Sequence, residues 1–266
     1  MTVKLVALDL DDTLLDSGLK ISPECVRVIR EARKKGVWIT FSTGRMYASA
    51  LPYANQLEID VPLITYQGAW VKHSASGEVL YYKPVPDNLA AKVMNYFENT
   101  GVHYHSYFED ELCMEVLSEE GRFYAGIAGV KPRIVRDLVK ELDTSDALKI
   151  MAVTDNDKMI LRMETDLKER YGDVLHITRS KPFFLEVMSK EADKGKALQV
   201  VAEHYGVERK EVMAVGDSFN DIAMIEWAGL GIAMGNAFDV VKDAADFVTT
   251  GNDEEGVAEA IKRFVL

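Results

Sequence analysis

Cysteine is scarce in this chain of 266 residues: there are two, Cys25 and Cys113, far apart. Two distant cysteines build no disulfide framework, so free thiols and a cytoplasmic protein are expected. Long apolar runs are missing too. No stretch approaches the roughly 20 apolar residues needed to cross a membrane. Met1 leads straight into a strand-like run with no signal-peptide pattern. No membrane partner is expected. Positive charge is also in deficit, with 31 Lys and Arg against 43 Asp and Glu, a net charge of −12. Residues 1–83 hold 10 basic and 9 acidic groups, residues 84–186 hold 13 and 19, and residues 187–266 hold 8 and 15. A long nucleic acid needs a basic face, and no segment supplies one, so no nucleic-acid partner is expected. Repeats and low-complexity segments are absent.

What is present is a chain that is 48% hydrophobic, ample for packed cores. Its length suits one large domain or two ordinary ones. Val3 to Leu10, broken only by Lys4, reads as a buried strand of a parallel sheet. It runs into Asp9-Leu10-Asp11-Asp12-Thr13. Residues two apart in extended chain point the same way, so Asp9 and Asp11 face one point. Two carboxylates there need a cation, a shared proton, or both. Acids after a strand also make Asx turns and helix caps, which accounts for such residues without chemistry. The carboxyl ends of parallel strands are nevertheless where open α/β sheets place their sites.

A second apolar run, Val212 to Val215, ends in Gly216-Asp217-Ser218-Phe219-Asn220-Asp221. Asp217 and Asp221 offer the oxygen ligands that a hard cation such as Mg²⁺ takes. Ser218 or Asn220 can also cap a following helix, a role compatible with a metal nearby. A third run, Trp38 to Ser42, ends in Thr43-Gly44-Arg45. A hydroxyl, a glycine amide and a helix start together can hold an anion. Lys194-Gly195 opens an apolar-periodic helix and adds a compact positive charge.

With these four segments the sequence resembles the haloacid dehalogenase superfamily, and within it the Cof-type phosphatases with a large α/β cap. Asp9 to Leu14 matches the first motif, Thr43-Gly44-Arg45 the second, Lys194-Gly195 the third and Gly216 to Asp221 the fourth. The likeness covers essentially the whole chain. It departs at Asp12, where Gly often stands, and at Gln67-Gly68-Ala69, where the family often has Asn-Gly-Ala. The resemblance implies an α/β fold, a doubly wound parallel-sheet, Rossmann-like core with an inserted α/β cap. The expected division is a core of residues 1–85 and 187–266 and a cap of residues 86–186 that selects the substrate. It implies a Mg²⁺-dependent hydrolase acting on small phosphorylated metabolites, sugar phosphates above all. A phosphomutase and a non-catalytic phospholigand-binding protein are the other readings of the same scaffold.

The implied roles are specific. Asp9 is the nucleophile and Asp11 the general acid and base. Asp9, Asp11 through its main-chain carbonyl, Asp217 and Asp221 serve the metal. Leu10, Thr43, Gly44, Arg45, Lys194 and Asn220 form the phosphate-binding set. Asp12 and Thr13 shape the loop, and Arg45 and Glu186 are candidates for the leaving-group side.

Between the motifs the pattern predicts helix Pro23–Lys35, helix Met46–Leu57 and a hairpin of Trp70–Lys72 with Val79–Lys83. The middle of the chain follows with strands His103–Tyr107 and Leu112–Val116, helical turns near Arg122 and over Ile134–Lys140, and strand Ala147–Val153. Helix Lys158–Tyr171 and strands Val174–Thr178 and Phe183–Val187 complete it. Alternation puts His103, His105 and Tyr107 on one strand face, expected to be free to meet a ligand. A structural zinc needs four ligands, and the two histidines have no further partners at suitable spacing. Met213, Met224, Met234, Trp38, Trp70 and Trp227 read as packing.

Overall fold

The computed structural model describes residues 2–266, Ser180 by its backbone alone. Two compact units divide the chain: residues up to Tyr82 together with Asp193–Leu266, and Lys83–Ala192. The first unit begins with β1 (Leu5–Leu8), α1 (Pro23–Lys34), β2 (Trp38–Phe41), α2 (Tyr47–Gln56), β3 (Pro62–Thr65), β4 (Trp70–His73) and β5 (Val79–Tyr82). The second unit holds α3 (Asp87–Thr100), β6 (His103–Phe108), β7 (Glu111–Met114), α4 (Glu119–Ala128), β8 (Arg133–Ile134), α5 (Leu138–Glu141), β9 (Ala147–Val153), α6 (Asp157–Tyr171), β10 (Leu175–Lys181) and β11 (Phe184–Ser189). The first unit then resumes with α7 (Lys194–His204), β12 (Val212–Gly216), α8 (Ile222–Trp227), β13 (Leu230–Ala233), α9 (Asp239–Ala244), β14 (Phe247–Val248) and α10 (Gly256–Phe264).

The core of the first unit is a parallel sheet in the order β14-β13-β12-β1-β2. β1 is buried along its whole length, which is why its sequence is a continuous apolar run rather than an alternating one. Its Leu5 and Ala7 join Val212 and Ala214 under α7 and α8, through Ala197, Leu198, Val201 and Met224. α1 packs against α10 and β2. The architecture is thus an α/β, doubly wound parallel sheet. β3, β4 and β5 form a separate antiparallel sheet, joined to β2 by the single parallel bridge Ser42–Ile64.

The second unit is a six-stranded sheet, β10-β11-β9-β6-β7-β8, antiparallel except where β7 meets β8. On one face Ile150, Ala152, Leu185 and Val187 pack under Phe97 of α3, Leu138 of α5 and Ile160 and Met163 of α6. Register sets His105 beside Met151, Tyr107 beside Lys149, and Met151 beside Glu186, so these side chains share the other face.

Three expectations are corrected. The division falls at Lys83 and after Ala192 rather than at 86 and 186. β11 is an inner strand paired on both sides and runs to Ser189, so a boundary at 186 would cut it in mid-course. Ile134–Lys140 is not one helix. Arg133 and Ile134 pair with Cys113 and Met114, and the Val135 amide donates to the Met114 carbonyl. Helix starts only at Leu138, capped by Asp137, whose carboxylate accepts the Lys140 amide at 3.1 Å. The face carrying His105 and Tyr107 is not free. Tyr124 of α4 packs tilted against His105 with ring centres 4.3 Å apart, and the Tyr107 and Tyr124 hydroxyls are hydrogen-bonded at 2.5 Å.

Candidate active site

β1 and β12 lie side by side where the strand order turns. From β1 the chain goes to β2 on one flank, and later to β12, β13 and β14 on the other. Ligands of open α/β sheets bind in the crevice outside the carboxyl ends of strands at such a point. Leu8 pairs with Val215, and the Asp9 amide donates to the Val215 carbonyl at 3.0 Å. Asp9 and Asp217, just past the two strands, are thereby set at one edge.

Asp9, Asp217 and Asp221 are all buried, and one carboxylate oxygen from each lies within 4.8 Å of the others. Lys194, 1% exposed, reaches Asp9 Oδ1 and Asp221 Oδ1, each at 2.6 Å. Its place is fixed by the helix start. The Asp193 carboxylate accepts the Lys196 amide at 2.8 Å, a cap worth about 1 kcal/mol, and Lys194 is then the first residue of α7. Asp221 Oδ2 accepts the Asp217 and Ser218 amides, both at 3.0 Å. Only glycine at 216 permits that fold-back: a Cβ there would lie 2.5 Å from the Asp221 Cβ. Thr13 Oγ1 donates to Asp217 Oδ1 at 2.7 Å.

Three acids against one lysine leave the site short of positive charge. Burial pushes the Asp9 carboxyl well above its usual range; Lys194 opposes this, and Asp221, Asp217 and Asp11 add to it. Burial, with Asp221 beside it, pushes Asp217 up to about 7, against the Thr13 hydroxyl and Lys194. Lys194 is raised above the ordinary lysine value; burial works against its charge, and Asp221 and Asp9 outweigh the burial. Hard oxygen donors that repel one another in a buried cluster suit a divalent cation.

Asp11 is half-exposed, and Arg45 grips both its oxygens. The backbone between turns sharply, with Asp12 at φ +59°, and the Asp12 carbonyl accepts from Asn236 Nδ2 at 2.8 Å. Thr43 is fully buried, and its hydroxyl accepts the Arg45 amide at 3.1 Å. Asn220 is exposed and donates through Nδ2 to Gln67 Oε1 at 2.7 Å. Leu10 sends its side chain into the core, 0% exposed, so only its main chain can serve an anion. Glu186 lies in the second unit, buried beside Lys149 at 3.6 Å.

Of the residues anticipated from sequence, Asp9, Asp217, Asp221 and Lys194 therefore form one cluster, and Asp11 and Arg45 form a pair. Gln67 was anticipated only as a departure from a motif. The Thr13 bond to Asp217 joins residues far apart in the chain and has no local signal.

The chain is similar to known proteins over nearly all its length. The haloacid dehalogenase-like hydrolase family matches residues 6–261. The 5-amino-6-(5-phospho-D-ribitylamino)uracil phosphatase YcsE of Bacillus subtilis (strain 168) is 34% identical, over 99% of this chain and 96% of that protein. A haloacid dehalogenase-like hydrolase from Bacteroides thetaiotaomicron superposes with a TM-score of 0.91 at 32% identity, covering 98% of this chain and 99% of that one. A sugar phosphatase of haloacid dehalogenase subclass IIB superposes with a TM-score of 0.84 at 28% identity, covering 98% and 99%.

Proposed function

The chain belongs to the haloacid dehalogenase-like hydrolases and is a Cof-type phosphatase, and we propose that it hydrolyses small phosphomonoesters with Mg²⁺ through an aspartyl-phosphate. The observation that carries this reading is the buried Asp9–Asp217–Asp221 cluster around Lys194 at the turn of the strand order, with Asp11 half-exposed two residues on.

Asp9, Asp217 and the Asp11 carbonyl would hold the metal, with Asp221 in support. A bound Mg²⁺ supplies counter-charge that favours the ionised carboxylates and draws charge from the phosphoryl oxygens. Lys194 takes Asp9 Oδ1, and the other oxygen of Asp9 attacks phosphorus. The ester oxygen leaves with a proton from Asp11, giving alcohol and aspartyl-phosphate. Asp11 then takes a proton from water as that water attacks the phosphoryl group. Inorganic phosphate departs and Asp9 is restored. Thr43, Gly44, Arg45, Lys194, Asn220 and the Leu10 main chain hold the phosphoryl oxygens and offset their charge. We assign substrate choice to the second unit, since the catalytic motifs all lie in the first.

The substrate class follows the chemistry of two similar proteins: one acts on a phosphorylated ribityl compound, the other on a sugar phosphate. Both carry phosphate on a polyhydroxy carbon chain, and we place this enzyme's ester there. The net charge of −12 favours neither nucleic acid nor an anionic surface. No helix among the described residues is long and apolar enough to cross a membrane. Cys25 and Cys113 are free thiols, which accords with a cytoplasmic setting.

The test is phosphate release across a panel of phosphosugars and phosphorylated cofactors, with Mg²⁺ and with chelator. Metal-dependent release from at least one phosphosugar is expected. Isomerised ester in excess of released phosphate would make the enzyme a mutase, and binding without turnover would make it a ligand-binding protein.

A further inference from the structure

The turn that follows β3 carries Tyr66 and Gln67 at φ +51° and +56°. Non-glycine residues in this region are strained and persist only where their surroundings over-determine them. Here they do. Tyr66 is fully buried, and its amide donates to the Arg45 carbonyl at 2.9 Å. The Gln67 amide donates to the Thr43 carbonyl at 3.1 Å. The strained turn is thus stitched to the Thr43-Gly44-Arg45 segment.

The Gln67 side chain then crosses to a different segment. Its Oε1 accepts Asn220 Nδ2 at 2.7 Å. Its Nε2 lies over Gly44, where a Cβ would come within 2.3 Å of it. Any larger residue at 44 would push the amide away. With Oε1 committed to Asn220, the two N–H donors of Nε2 have no hydrogen-bond partner among the described residues. A half-buried amide is therefore held by strained backbone, with its acceptor used and its donors offered beside Thr43, Gly44 and Asn220.

We infer that Gln67 binds substrate: Nε2 donates to a phosphoryl oxygen while Oε1 positions Asn220. The inference rests on the phosphatase reading above, and adds a donor to the set assigned there. A hydrogen bond to a charged oxygen is among the stronger kinds.

Gln67→Glu tests it. The variant keeps the shape and an acceptor for Asn220, and sets a carboxylate where the donor stood. Gln67→Met keeps the length and removes both polar atoms. KM, kcat and the inhibition constant of inorganic phosphate are measured with Mg²⁺ present, after circular dichroism confirms the fold. Gln67→Glu should weaken phosphate and raise KM about 10-fold or more, the worth of one hydrogen bond to a charged group. Gln67→Met should move both in the same direction by a smaller factor. Should one variant fail to fold, the other carries the test. Unchanged phosphate inhibition in a folded variant overturns the inference, even where thermal stability falls. Failure of the unmutated protein to bind phosphate or cleave any ester would instead overturn the phosphatase reading.

Discussion

Arg45 holds Asp11 by two parallel bonds, Nε to Oδ2 at 2.8 Å and a terminal nitrogen to Oδ1 at 2.6 Å. The guanidinium is itself braced, 5.2 Å from the centre of the Tyr53 ring. Such a fork fixes a carboxylate in both position and rotation. Both oxygens accept from the guanidinium, so Arg45 sets the direction in which the Asp11 carboxyl points. Asp11→Asn keeps the shape and removes the proposed proton donor. Turnover of alkyl phosphates should fall by about 10²–10⁴, the usual share of proton transfer, and that of activated aryl phosphates much less. The check is the ratio of the two losses; an equal loss removes Asp11 from the role of general acid.

Asp9→Asn keeps the size of the proposed nucleophile and deletes its charge. Turnover should fall by at least about 10³, as when a covalent catalyst is removed. Because Asn can still accept from Lys194, the fold should survive, and circular dichroism should match the unmutated protein. Near-normal turnover in a well-purified sample would refute the assignment.

The acids were legible because their geometry is local. Asp9 follows from an acid just past a buried run, and Asp217 from a glycine and an acid in the same place. Alternation does not carry on to Asp11, because the strand ends at Leu8 and the chain turns through Leu10–Leu14. Lys194 is legible as the start of a helix and gains its role from the order of the four motifs, while its burial between Asp9 and Asp221 is set by contacts across the fold. Gln67 was not legible in that way. Its role depends on a left-handed backbone at a non-glycine residue and on a bond to Asn220 across the fold. Alternation correctly grouped His103, His105 and Tyr107, but it says which residues share a face and not what covers that face. Tyr124 of α4 covers it. Residues 133–141 show the same limit, since pairing of Arg133 and Ile134 with β7 overrode the local helical pattern.

Lys194 lies between two buried carboxylates, and its loss should damage the fold as well as the chemistry. Lys194→Met keeps the stem and leaves Asp9 and Asp221 without their counter-charge. Breaking a buried ion pair by removing one partner typically costs about 3–5 kcal/mol. Urea unfolding without divalent cation should show a loss of that size. Mg²⁺ should recover part of it, because a ligand bound only by the folded state stabilises that state. A variant as stable as the unmutated protein would show that the Lys194 ion pairs add no net stability.

His105 gives the second unit a defined response to acid. It is 0% exposed, and its Nε2 has no hydrogen-bond partner among the described residues. Burial holds its pKa well below the ordinary histidine value, with His103 and Lys149 adding to the effect. A group depressed in the folded state takes up its proton more readily when unfolded. Its contribution is therefore fully present above the ordinary histidine range near 6.5, and is lost as pH falls below that range. The slope for one such group approaches about 1.4 kcal/mol per pH unit. Asp217, raised to about 7, pulls the other way. Its folded form holds a proton that the unfolded chain has released, so its contribution grows as pH falls from about 7. Asp9, also raised above the usual carboxylate range, acts in the same sense as Asp217. The unmutated curve sums all of these effects, and His105 is read from a difference. His105→Phe keeps an aromatic ring against Tyr124 and removes the titration. Between pH 7.5 and 5.5 its unfolding midpoint should fall by less than that of the unmutated protein, or should rise. Parallel curves for the two proteins would show that His105 binds its proton equally in the folded and unfolded states.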